Sequence, residues 1–85
     1  MDNQKSPSLN KQVRNILAEA IQVPIEMIAP NLEFGDLPQW DSLGHMELMM
    51  QLEEEYGIEI NADTIAELVS IAEICTFIEE QQNGK

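Results

Sequence analysis

Lysine and arginine are missing from residues 15–84 of this 85-residue chain. The four bases it has, Lys5, Lys11, Arg14 and Lys85, stand towards its ends against sixteen acids, for a formal net charge of −12. A field of that sign repels nucleic-acid phosphates and anionic membrane surfaces. It attracts a basic protein surface, at an association rate that falls as salt rises. Cysteine is nearly absent as well: Cys75 alone excludes an internal disulfide, and no spacing suits zinc. No apolar run approaches the length of a membrane-spanning helix, and Met1 to Asn10 is too polar for a secretory leader. A soluble, cytoplasmic monomer is the expectation. The length fits one domain, 1–85, with a thin core ordered over about residues 7–81 and fraying ends.

What the chain does have is helical periodicity. Leu9, Val13, Ile16, Leu17, Ala20 and Ile21 recur at three- and four-residue spacing, the buried stripe of a first helix over about residues 7–22. Ser6 is placed to cap it with Pro7 at the first helical position, and Pro24 stops it by restricting Val23. A connection over about residues 24–40 follows, punctuated by Pro24, Pro30, Gly35 and Pro38. Its Ile25, Met27, Ile28, Leu32, Phe34 and Leu37 are too apolar for a slack linker. The loop should pack over the bundle, with a short helical turn near Ile25–Ile28, and loops this long tend to be functional. A second helix is predicted from Ser42 to Tyr56, closed by Gly57 as a left-handed cap. Ala62 to Glu67 reads as a brief third helix capped by Asn61. Ser70 and Glu73 have capping-box spacing ahead of a last helix that turns Ile71, Ile74, Cys75 and Ile78 inward and ends near Gln81. The predicted fold is all-α, a four-helix bundle with a short third helix and a long loop between the first two.

The second helix carries more apolar surface than a small bundle needs. At about 100° per residue, Leu48, Met49, Leu52 and Tyr56 share the core side. Leu43, Met46 and Met50 lie roughly opposite, flanked by Glu47, Glu53 and Glu54. An apolar strip rimmed by carboxylates is the pattern of a docking face, and methionine thioethers adapt to more than one partner. Ser42 opens the helix, where unpaired N–H groups and the positive end of the dipole favour an anion such as a phosphate ester.

His45, one turn on, raises the question of a serine–histidine hydrolase. That chemistry needs an orienting acid, an oxyanion hole and a pocket. A nucleophile elbow also puts glycine two residues before its serine, where this chain has Trp40. No calcium-loop order of oxygens is present either. No catalytic residue and no metal site are assigned. His45 is expected on the core side beside the loop, and Cys75 fills the core. Trp40 has two readings, a plug for the bundle or a contact for a ligand or partner.

From Leu9 to Ile78 the chain resembles acyl carrier proteins, whose mark is an Asp-Ser-Leu triplet opening an acidic second helix. The segment that carries the resemblance runs from Trp40-Asp41-Ser42-Leu43 through Glu47-Leu48-Met49-Met50 to Leu52-Glu53-Glu54-Glu55-Tyr56-Gly57-Ile58-Glu59-Ile60. The resemblance implies that Ser42 bears 4′-phosphopantetheine, transferred from coenzyme A by a separate phosphopantetheinyl transferase with Mg²⁺. It implies that Asp41 helps to place the metal and the transferase. It also implies a protein that is not an enzyme: the arm's thiol holds acyl or aminoacyl cargo as a thioester for partner enzymes of fatty-acid, polyketide or related biosynthesis. Leu43, Met46, Glu47, Met50, Glu53 and Glu54 would meet basic docking patches on those enzymes. The resemblance leaves open whether long cargo enters the bundle beside residues such as Leu48, Met49 and Ile74.

The chain departs from the common fatty-acid carriers in two places. They have a glycine and a small residue before the Asp, whereas Asp36-Leu37 here is followed by Pro38-Gln39-Trp40, and His45 stands where small polar residues are usual. The form is more like stand-alone carriers of specialised pathways. A second function uses the same features differently, as an unmodified acidic helical adaptor for a basic protein.

Overall fold

The computed structural model describes residues 5–83. Four helices follow in order: α1 Lys5–Ile21, α2 Ser42–Tyr56, α3 Ala62–Glu67 and α4 Ile71–Asn83. The long connection between α1 and α2 holds one 3-10 turn, Ile25–Met27. Among the described residues there is no strand, and Glu33 and Ser70 form a lone antiparallel bridge. The fold is the all-α bundle that the periodicity predicts, with its short third helix.

Two helix ends differ from expectation. α1 begins at Lys5, which puts Ser6 inside the helix and not at its cap. It ends at Ile21 because Gln22 turns left-handed (φ 60°) and the Val23 N–H donates back to the Ala18 carbonyl at 3.0 Å. α4 continues through Asn83, past the expected stop near Gln81. Gln82 is helical where fraying was expected, and its Nε2 donates to the Tyr56 carbonyl at 3.1 Å. The rest of the expected fraying, at Met1–Gln4 and Gly84–Lys85, lies outside the described residues.

α1 is the central support. Val13, Leu17 and Ile21 are buried as the stripe requires, and Ala18 is buried beside them. The single stripe omits Ala18 because α1 packs against both α2 and α4, so its covered face is wider than one row. Leu48, Met49 and Leu52 meet it from α2, and Ile71, Ile74 and Ile78 complete the core from α4. Each such side chain taken from water contributes about 1.5–3 kcal/mol before conformational entropy is set against it. Tyr56 adds a tie at the far end of α2, its hydroxyl donating to Gln12 Oε1 at 2.8 Å.

The connection packs as its apolar content predicts. Ile28 and Leu32 are buried, whereas Met27 and Phe34 stay exposed. The Leu32 carbonyl accepts from the Ile71 N–H at 3.0 Å, and the Phe34 N–H donates to the Val69 carbonyl at 2.7 Å, so the loop is laced to the start of α4. There the Glu73 N–H donates to Ser70 Oγ at 3.1 Å. In return the Val69 N–H donates to Glu73 Oε1 at 3.4 Å, one residue before the Ser70 N–H that a capping box would use.

Gly44 decides how closely α2 approaches α1. A Cβ there would lie 2.7 Å from Ile21 Cγ2 and 3.0 Å from the Gln39 carbonyl oxygen. Gly→Ala inside a helix ordinarily gains up to about 1 kcal/mol. Forcing an extra carbon against a buried β-branched side chain and a backbone oxygen costs about 1–3 kcal/mol, so the clash wins. Gly44→Ala should therefore lower the free energy of urea unfolding; a higher urea midpoint would show that the two helices part freely.

Candidate functional site

The head of α2 is shaped by three consecutive residues with different tasks. Asp41 is the N-cap: it is extended (φ −106°, ψ −168°), its Oδ1 accepts from the Gly44 N–H at 3.0 Å, and its carbonyl accepts from the His45 N–H at 2.8 Å. An acid immediately before the first helical residue is a cap signature, so this role was readable from the order of residues. Ser42 is the first helical residue and is exposed, with no hydrogen bond from its hydroxyl to the described residues. Asp41 takes the amide of the third helical residue, which leaves the Ser42 and Leu43 N–H groups as the unpaired donors of the first turn. A phosphodiester on that hydroxyl would stand beside donors and the positive end of the helix dipole, so the residues fit the group the sequence implies.

Trp40 holds the approach to this turn. It is 1 % exposed, and its indole N–H donates to His45 Nδ1 at 3.1 Å. An indole N–H only donates, so Nδ1 must carry a lone pair and the imidazole proton lies on Nε2. That N–H reaches the Ile65 carbonyl of α3 at 2.9 Å. One neutral imidazole thus links the connection, α2 and α3. Phe34 closes the cluster, edge-on to Trp40 with ring centroids 5.8 Å apart and 5.2 Å from His45. Of the two readings for Trp40 the plug is the one found, and His45 lies on the core side as expected. It makes no dyad with Ser42, since both ring nitrogens are engaged elsewhere.

The other face of α2 presents Leu43, Met46 and Met50, which are 80 %, 46 % and 52 % exposed. Glu47 and Glu54 are exposed beside them. Glu53 is placed differently: it is half-buried, and its Oε2 accepts from the Ile60 N–H at 2.9 Å, tying α2 to the link before α3. Its position on the helical wheel did not reveal that the chain returns past it after Gly57.

A profile of the family described as "phosphopantetheine attachment site" matches residues 11–78. The chain is 30 % identical over 74 residues to "acyl carrier protein 3" of Ralstonia nicotianae, covering 87 % of this chain and 85 % of that one. The chain belongs to the acyl carrier protein family. Other members show the same extent of likeness. The "acyl carrier protein" of Thermosynechococcus vestitus is 34 % identical over 68 residues, 80 % of this chain and 84 % of its own. That of Helicobacter pylori is 29 % identical over 75 residues, 88 % and 96 % of the two chains. As an acyl carrier the protein works through covalently attached 4′-phosphopantetheine and serves partner enzymes. The unmodified adaptor finds no support. Among the described residues no helix is long and apolar enough to cross a membrane.

An acyl carrier's work depends on one reactive thiol at the end of its arm, and Cys75 does not compete with it. Burial, with Glu79 adding to it against a smaller pull from Arg14, pushes the Cys75 thiol up to about 11. The fold favours the neutral thiol. That contribution is complete below the ordinary value of 9.0 and is lost as pH rises from there through about 11. At pH 8, alkylation of Cys75 by iodoacetamide should be at least about tenfold slower in the native chain than in urea, because the thiolate is the nucleophile. Equal rates would mean an accessible, ordinary cysteine.

Proposed function

We propose that Ser42 is the attachment point of the arm, and that the exposed strip of α2 receives the enzymes that load it and use it. The observation that supports this is the exposed Ser42 hydroxyl on the first residue of α2, beside a turn whose Ser42 and Leu43 amides are unpaired. Asp41 commits Oδ1 to the Gly44 amide. Its second oxygen would meet the Mg²⁺ that a phosphopantetheinyl transferase brings, and the ion would offset the repulsion between this carboxylate and the incoming phosphate. When bound, the arm supplies a thiol that holds an acyl group as a thioester. The protein itself makes and breaks no bond. Its residues hold the tether point outward, keep Trp40 and His45 behind it, and offer a surface.

Leu43, Met46 and Met50 supply a small apolar anchor, and Glu47 and Glu54 steer basic patches of successive enzymes towards it. Fast exchange between partners asks for steering with modest area, the balance this face provides. The same charge keeps the carrier from nucleic acid and suits a protein that stays in solution as a monomer. Intact mass after incubation with coenzyme A, Mg²⁺ and a broad-specificity transferase tests the attachment: a gain of about 340 Da, mapped to the peptide holding Ser42, is expected. Charge reversal at Glu47 or Glu54 should slow loading several-fold and flatten its salt dependence at unchanged stability. Unaltered kinetics in both variants, with Met46→Ala equally silent, would move the docking face elsewhere.

A further inference from the structure

Behind the head of α2, on the side facing α3, stands a hydrogen-bonded plug. Trp40 and His45 fill the space where the connection, α2 and α3 meet, with the indole on Nδ1 and Nε2 on the Ile65 carbonyl. Phe34 covers the pair from the loop side. Deeper in, Leu48, Leu52, Ile71 and Ile74 are fully buried members of one core. We propose that this plug keeps the carried acyl group out of the bundle, so that His45 and Trp40 set the class of cargo: a short or polar acyl group held at the surface. The inference rests on Ser42 as the tether.

An apolar chain rooted at Ser42 that entered between α2 and α3 would have to part these rings. It would strand the indole N–H and the Ile65 carbonyl, and methylene groups offer neither a donor nor an acceptor in exchange. The other flank of the α2 head is a cleft walled largely by Glu19, Gln22, Gln39, Asp41 and Glu47, which gives an alkyl chain little that water does not. A long alkyl cargo would remain wet on either side. A short or polar one loses nothing by staying outside, where its thioester is open to each partner without first being drawn from an interior. His45 acts here through what it holds shut and is a specificity-determining residue, not a catalytic one.

The test uses the full chain loaded on Ser42 with acetyl or octanoyl pantetheine arms from the matching coenzyme A thioesters, read by methyl NMR and by hydroxylamine cleavage of the thioester. In the native chain the Leu48, Ile65 and Ile74 methyl signals should coincide in the two forms. The octanoyl thioester should be cleaved within about twofold of free octanoyl-pantetheine. His45→Ala should open the route, so that octanoyl shifts those methyls and cleavage slows several-fold. Octanoyl-specific shifts in the native chain, or tenfold protection of its thioester, would overturn the inference, and this comparison stands even where His45→Ala fails to fold. Failure of Ser42 to load overturns the tether and this inference with it. A loaded native chain with displaced interior methyls overturns this inference alone.

Discussion

Ser42→Ala should abolish the mass gain altogether while leaving the bundle intact. The substitution removes one exposed oxygen that bonds to no described residue, so its effect on stability should stay within about 0.5 kcal/mol. The cap of α2 belongs to Asp41 and survives it. Variants of Asp41 separate its capping of α2 from the proposed placing of the metal. Asn caps helices as well as Asp does, so Asp41→Asn should hold stability and, on the proposed role, slow loading through loss of the negative charge; Asp41→Ala should also cost about 1 kcal/mol. Thermal melts by circular dichroism and intact mass on the three variants check this. Full loading of Ser42→Ala would put the arm on another residue, and Asp41→Asn loading at the native rate would confine Asp41 to capping.

How much of this was legible beforehand depended on whether the signal was local. α2 begins at Asp41 and ends at Gly57, and α3 begins at Asn61, because a cap needs only its own neighbours, and the Ser70–Glu73 spacing likewise marks the start of α4. The exposed strip of Leu43, Met46 and Met50 followed from the helical period, since a helix that packs on the core with one side has the other left over. Contacts across the chain were not legible. Nothing near Glu53 announces that Ile60 returns to its carboxylate, and nothing near Gly44 announces Ile21. His45 is the sharpest case. Its spacing from Ser42 invites a dyad, yet its two nitrogens answer to Trp40, five residues earlier, and to Ile65, twenty residues later. Helical spacing says which side a residue faces, and only the folded chain says what waits there.

Trp40→Ala should bring the protein close to unfolding. A domain of 85 residues at roughly 0.05–0.15 kcal/mol per residue has about 4–13 kcal/mol to lose. Removing a fully buried indole costs about 3–5 kcal/mol. The edge-on contact with Phe34 forfeits about 0.5–1.5 kcal/mol more, and His45 Nδ1 is left facing a void unless water follows. Urea unfolding followed by circular dichroism should show a loss of about 4 kcal/mol or more. Trp40→Phe apportions the loss: it keeps most of the ring but no N–H, so it should cost roughly 1–3 kcal/mol, chiefly the unmet acceptor on His45 and the smaller ring. Loading should fall further in Trp40→Ala than folded fraction alone explains, because Trp40 immediately precedes the Asp41 that caps α2. If Trp40→Ala melted within a couple of degrees of the native chain, the ring would not be what holds the connection, α2 and α3 together. The indole would then have to be explained by something that reaches it from outside.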